Sequence, residues 1–121
     1  MPERKIVARE LADILGVIAH PARVRIIEEL GQGEKDVSEL VELTGLAQPT
    51  VSQHLAALRV RKLVHDRRDG RLVYYSLAQP WLASWLLDGL KLIESESTTS
   101  SELMRAAKRV RVLWKNRRQQ N

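Results

Sequence analysis

Cysteine is absent from the 121-residue sequence. Disulfides, thiolate metal ligands and thiol redox switches are excluded outright, and a small secreted fold stapled by disulfides is disfavoured. Long hydrophobic runs are missing as well. The longest uncharged stretch, Leu72 to Leu87, contains Ser76, Gln79 and Pro80 and falls short of the ~18 apolar residues of a membrane span. Met1-Pro-Glu-Arg-Lys is charged, but Asp13 interrupts the region where a signal peptide would carry its apolar run. The expectation is a cytoplasmic protein without a membrane span. Histidine is scarce: His20, His54 and His65 stand apart, with no His-x₃-His or similar pair. Capping, phosphate contact or partial burial outweighs a metal site built from them. Ser52 and His54 diverge on a helix at i, i+2 and have no third partner, so no catalytic set is present and an enzyme is not expected. No cofactor, metal site or internal repeat is read.

What is present is charge, unevenly placed. Charged residues make up 29% and the net charge is +5, a composition that supports one folded domain with a modest core. Glu102 to Asn121 carries seven basic residues and one acid, a balance of +6, which leaves −1 over the rest. Arg59 to Arg71 holds six basic residues and two acids. Two basic zones suit a polyanionic partner.

The stretch Leu46 to Lys62 lies beside one of them. Pro49 fits the first turn of a helix. Val51, Leu55 and Leu58 recur at i, i+4, i+7 and share one buried stripe. Gln53 then points away from that stripe, flanked by Pro49, Thr50, Ala56 and Ala57, with Ser52 and Gln48 to one side and His54 to the other. A short, polar outward face suits a helix lowered into the DNA major groove, while Arg59, Arg61 and Lys62 at the far end are within reach of phosphates.

The flanking pattern supports this. Val7, Leu11, Ile14, Leu15 and Ile18 predict a first helix over 3–19. Pro21 opens a second, with Val24, Ile26, Ile27 and Leu30 apolar and Gly31 and Gly33 at its end. Asp36 and Glu39 have capping-box spacing before a short third helix, which Thr44-Gly45 stops. A short helix, a Gly turn and a helix with polar outward residues form a helix-turn-helix. Residues 63–68 and 71–77 predict strands joined at Asp69-Gly70, a hairpin signal. This would be a wing, with Arg67, Arg68 and Arg71 around its tip. A fifth helix follows Gln79-Pro80 with a wide apolar face of Trp81, Leu82, Trp85, Leu86, Leu90 and Ile93. Thr99 and Glu102 have the spacing of a capping box for a last helix. There Leu103, Ala107, Val110 and Trp114 align and are expected to dock near the first and fifth helices.

In this order the chain closely resembles the ArsR/SmtB family of dimeric winged-helix transcriptional repressors. The resemblance rests on Ile18-Ala19-His20-Pro21-Ala22-Arg23-Val24-Arg25-Ile26, on Val37-Ser38-Glu39-Leu40, on Gln48 to Leu55, and on Arg67 to Leu77. It covers roughly residues 8–90 without interruption. It implies that Gln48, Thr50, Ser52 and Gln53 face bases, and that Arg67, Arg68 and Arg71 meet the backbone or minor groove, with His54 and Arg59 also on the backbone side. Two departures stand out. Where metal-sensing relatives carry Cys-Val-Cys, this chain has Asp36-Val37-Ser38. Where others use Asp and His on the fifth helix, it offers Asp88, Glu94 and Glu96 without histidine, and borderline metals favour imidazole. The family's usual sensing sites are not expected, and no effector is read.

The apolar faces of the first, fifth and last helices exceed what one small domain covers. A two-fold dimer through Leu11, Leu15, Ile18, Trp81, Trp85 and Leu86 would bury them and set two reading helices on a palindromic operator in double-stranded DNA. The expected division is a winged helix-turn-helix DNA-binding and dimerisation domain over 1–98 and a basic C-terminal helix over 99–121. The expected function is a sequence-specific DNA-binding transcriptional regulator, a dimeric repressor of its own or neighbouring genes. The rival reading is a basic peripheral membrane or partner-protein-binding module, with Trp114 among its basic residues and its DNA binding controlled by a protein partner.

Overall fold

Proline marks where three of the helices begin. Pro2, Pro21 and Pro49 each lie in a first turn, where a fixed φ suits the helix and the missing N–H leaves no intrahelical bond unmade. The computed structural model describes residues 1–96 and 100–120. It places α1 over Pro2–Ile18, α2 over Pro21–Leu30, a short strand β1 over Lys35–Asp36, α3 over Val37–Thr44 and α4 over Gln48–Val60. The hairpin strands β2 (Val64–Asp69) and β3 (Leu72–Leu77) follow, then α5 (Leu82–Leu87), α6 (Leu90–Ser95) and α7 (Ser101–Gln120). This is the expected winged helix-turn-helix, mainly α with a small antiparallel sheet of order β1-β3-β2.

The core takes one stripe from each central element. Ile26, Ile27 and Leu30 of α2, Leu40 of α3, and Val51, Leu55 and Leu58 of α4 are all buried, with Val64 and Leu77 closing it from the sheet and Leu82 and Ala83 from α5. Burying each large aliphatic side chain is worth ~1.5–3 kcal/mol, so the α4 stripe holds that helix with its other side free. At the start of α3 the capping box forms: Asp36 accepts from the Glu39 N–H at 2.9 Å, and Glu39 accepts from the Asp36 N–H at 3.1 Å. Gly45, left-handed at φ 73°, ends α3 and sends its N–H to the Val41 carbonyl. A side chain there would be strained.

Several boundaries differ from the sequence reading, each for a local reason. Helix α4 is shorter than Leu46–Lys62 at both ends. Ala47 is extended at its start, and Lys62 turns left-handed at φ 62° after its end. There the Leu63 N–H reaches the Leu58 carbonyl and the Lys62 N–H the Arg59 carbonyl, a Schellman ending without glycine at its left-handed position. The hairpin pairs Asp69 with Leu72, so its two central residues are Gly70 and Arg71, with Gly70 at φ 62°. The turn is therefore one residue later than Asp69-Gly70. Strand β1 pairs Lys35 with Tyr75 and Asp36 with Tyr74 and was not legible from two residues.

The single fifth helix is two. Around Asp88 and Gly89 the ladder tightens to i→i−3 bonds, Gly89 N–H to Leu86, Lys91 to Asp88 and Leu92 to Gly89, which breaks the α-helix into α5 and α6. Thr99, the expected cap of the last helix, lies outside the described residues. Ser100 Oγ accepts from the Leu103 N–H at 3.1 Å instead. Helix α7 folds back on α6 and on the end of α2, where the first helix had been the expected partner alongside the fifth. Ala107 is buried and Trp114 packs on the core, whereas Leu103 stays exposed. Arg111 donates twice to Glu94 Oε1, at 3.0 and 2.7 Å. The fit at α2 is tight enough to demand glycine: a Cβ on Gly31 would lie 2.4 Å from Ala83 Cβ and 2.8 Å from Trp114.

Candidate nucleic-acid interface

Because Val51, Leu55 and Leu58 anchor α4, its opposite side must face out. Gln48, Pro49, Ser52, Gln53 and Ala56 are exposed, and Thr50 is half-buried. The four residues expected to face bases thus share the N-terminal half of one helix, three of them exposed and Thr50 half-buried. A groove of about 230 Å³ joins this half to the wing, lined by Ser38, Gln48, Arg71, Leu72 and Val73 with Asp36 and Val37. Gln48 and the hairpin turn are therefore neighbours in space, although 23 residues separate Gln48 from Arg71 in the chain. Arg68 and Arg71 are exposed, and among the described residues neither has an ion-pair partner.

The other basic candidates are differently employed. Arg67 makes a forked contact with Glu34, from Nε at 2.8 Å and from Nη2 at 2.6 Å. Its guanidinium also sits 4.7 Å over the ring of Tyr74, its cross-strand neighbour. The bond to Arg67 holds Glu34 below its ordinary pKa and, reciprocally, raises that of Arg67. Arg67 thus ties the wing to the loop before β1, on the sheet face opposite Arg68. Arg59 pairs with Asp66 at 3.1 Å, bracing the end of α4 against β2. His54, expected on the backbone side, is half-buried and turned inward, its Nδ1 accepting from Arg23 Nε at 3.0 Å. Burial first, then the charges of Arg23 and His20, lower its pKa.

Sequence reasoning missed the partners Glu34, Arg23 and Glu10, the last paired with Arg61. Each lies more than 30 residues from its basic or imidazole mate, beyond any local pattern. It also missed Glu29, fully buried on α2 and paired with Arg25, which reaches on to the Leu43 carbonyl at 3.1 Å.

Four of the dimer candidates, Leu11, Ile18, Trp81 and Trp85, line one groove, and Leu15 and Leu86 do not. Leu11 and Leu15 of α1, Trp81 at the N-cap of α5 and Trp85 within α5 are exposed, the two indoles edge to face at 6.4 Å. An apolar cavity of about 460 Å³ runs between Leu11 and the two indoles, lined also by Ile14, Ile18 and Leu82. Ile18 is only 2% exposed and already belongs to the chain's own core, and Leu86 is half-buried against that core. Both belong to the chain's own core more than to its free surface.

The donor sets do not fit the metals of thiolate-bearing or imidazole-bearing sites. The carboxylate of Asp36 is engaged in capping α3, Ser38 offers only a hydroxyl, and Glu94 is held by Arg111.

With this geometry in view, the comparisons are consistent. The model of the bacterial regulatory protein arsR family matches residues 20–66, from the start of α2 into β2. The biofilm growth-associated repressor of Agrobacterium fabrum is 39% identical over 79 residues, 65% of this chain and 68% of that one. The HTH-type transcriptional regulator KmtR of Mycobacterium tuberculosis is 35% identical over 80 residues, 66% of this chain but 62% of that longer protein. The crystal structure of the transcriptional repressor BigR from Xylella fastidiosa superposes with a TM-score of 0.68 at 31% identity, covering 75% of this chain and 93% of that one. The matched segments contain α4 and its polar face, and the chain belongs to the ArsR/SmtB family of winged helix-turn-helix, DNA-binding transcriptional regulators.

Proposed function

We propose that the chain is a homodimeric repressor that reads a palindromic operator, of its own or neighbouring genes, through α4. The observation that carries this is the outward side of α4: Gln48, Ser52 and Gln53 exposed on a helix whose opposite side is locked in the core, next to a hairpin with free arginines. In this reading Gln48, Thr50, Ser52 and Gln53 contact base edges, and Arg68 and Arg71 contact phosphates or the minor groove. The apolar groove between α1 and α5 receives a second copy, which sets the two α4 helices about one DNA turn, ~34–36 Å, apart. Residues 1–98 form the DNA-binding and dimerisation domain, and 99–121 a basic helix attached to it. Several relatives bear the name repressor, which supports that direction of control. Regulation proceeds without the thiolate or fifth-helix metal sites of other members.

Binding to a duplex selected by the protein from a randomised pool, compared with binding to random duplex, tests this. Gln53→Ala should lower the preference for the selected duplex by the ~1–3 kcal/mol of a lost base contact. Arg68→Ala should weaken both duplexes alike and reduce the salt slope by about one. Equal effects of the two changes on both duplexes would mean that α4 does not read sequence.

A further inference from the structure

Two side-chain ties join α4 to α1, and one of them depends on a proton. Arg23, in the first turn of α2, donates from Nε to Nδ1 of His54 at 3.0 Å and from Nη1 to the Val17 carbonyl, in the last turn of α1, at 2.8 Å. Two turns along α4, on the same side as His54, Arg61 pairs with Glu10 of α1. Nδ1 accepts only when it carries no proton, so the bond selects the neutral imidazole with its proton on Nε2. The charged and titratable groups that act on His54 are Arg23 and His20, and both oppose an imidazolium. From α2 comes the Arg23 guanidinium, and from the cap of α2 the His20 ring, 6.1 Å away centre to centre. The Val17 carbonyl of α1 is engaged by Arg23. On α4 itself, Arg61 is engaged by Glu10.

We propose that Arg23 is a positioning residue for DNA reading: the Val17–Arg23–His54 chain sets how α4 sits against α1, and it holds only while His54 is neutral. This rests on α4 being the reading helix and adds a residue that touches no base. His54 lies within one or two turns of Gln48, Ser52 and Gln53, so the tie supports the half of the helix that would enter the groove. Protonation removes the acceptor and sets an imidazolium against a guanidinium. The stripe of Val51, Leu55 and Leu58 keeps α4 folded, but its lateral stop is gone, and hydrogen bonds to base edges weaken steeply when misaligned. The sign follows from the inward burial of His54. With its folded pKa depressed, the tie is complete above the ordinary histidine range near ~6.5 and is lost as pH falls through His54's own lower value.

The test measures, with the full chain, the ratio of affinities for a duplex selected from a randomised pool and for a random duplex of equal length. The ratio cancels the general gain in DNA attraction that acid gives any basic protein. For the wild type it should fall several-fold as pH drops from about 7.5 through the titration of His54, whose midpoint the ¹⁵N shifts locate. His54→Gln can still accept from Arg23 and does not titrate, so its ratio should stay flat across that range. Arg23→Met should give a reduced ratio already at the higher pH, with no further fall. In the free protein, the ¹⁵N shifts of His54 should report an accepting Nδ1 and a lowered pKa in the wild type, and a raised one in Arg23→Met. A wild-type ratio independent of pH, a His54→Gln ratio that falls as the wild type's does, or an undiminished ratio in Arg23→Met would each overturn the proposal. A wild type that selects no duplex at all would sink the reading-helix assignment and the positioning role with it, while an intact His54 titration would show that the Arg23 bond itself exists.

Discussion

At the scale of single residues, two positions have backbone or steric demands that composition hides, and they predict opposite effects. Lys62 is left-handed at φ 62° where a Schellman ending favours glycine. Replacing it relieves a cost of about 1 kcal/mol, so Lys62→Gly should raise the unfolding temperature. Gly31 has an ordinary helical φ, and its demand is space. A methyl group there meets Ala83 and Trp114 well inside contact distance, and overpacking of this kind costs ~1–3 kcal/mol. Gly31→Ala should therefore lower the unfolding temperature, by displacing α7 or α5. Calorimetry of the two variants beside the wild type checks both. Shifts of the same sign would contradict the geometry of one or the other site. Glycine's place after α2 was readable from the sequence as a helix stop. That it is also the floor under an indole 83 residues later was not, because the clash involves two elements distant in the chain.

At the scale of elements, one charged contact ties the wing to the loop before β1. Arg67 joins β2 to the loop before β1 through Glu34 and stacks on Tyr74, while Arg68 and Arg71 stay exposed. Since the bond depresses Glu34's pKa, the tie is complete above the ordinary carboxylate range and is lost as pH falls through the lower value Glu34 has in the fold. The Arg67 Nε–H resonance should move with that titration to the position it has in Glu34→Gln at all pH. A resonance that ignores acid, or one already identical in the two proteins, would show that no such tie exists in solution. The elements themselves were largely legible. The α4 stripe, the capping box of α3 and the basic hairpin all follow from periodicity and turn chemistry, which are local. The break between α5 and α6 was not, because Leu86, Leu90 and Ile93 continue one apolar face across Asp88 and Gly89. Periodicity records which side is apolar and is blind to whether a carbonyl bonds three or four residues on. For the interface, the outward set on α4 was readable because its buried complement was. The partners of His54 and Arg67, Arg23 and Glu34, were not readable, because they are set by tertiary approach.

At the scale of the whole molecule, the open question is what the basic last helix adds. A lone helix of this length is marginal in water without packing, and α7 finds its packing within the same chain. Ala107 is buried, Trp114 rests over Gly31, and Arg111 is held by Glu94. Removing it uncovers Ala83 and the end of α2, so truncation after Ser101 should lower stability, with half-buried Trp114 accounting for less than the ~3–5 kcal/mol that loss of a fully buried aromatic costs. Its charge acts separately. The segment from Glu102 carries a balance of +6, which raises the local potential and speeds encounter with DNA wherever it points. If α7 also touches phosphates, truncation lowers affinity for all sequences alike and flattens the salt dependence by about one unit per lost contact. If it serves only to cover the core, Trp114→Ala reproduces the loss of stability while the salt slope stays at its wild-type value in both variants. Denaturant unfolding and salt titration of the two proteins separate these roles. The packing predicts that the stability loss appears in both. A truncated chain as stable as the intact one would mean that α7 does not dock on α2 and α6 in solution, and that its tryptophan covers nothing.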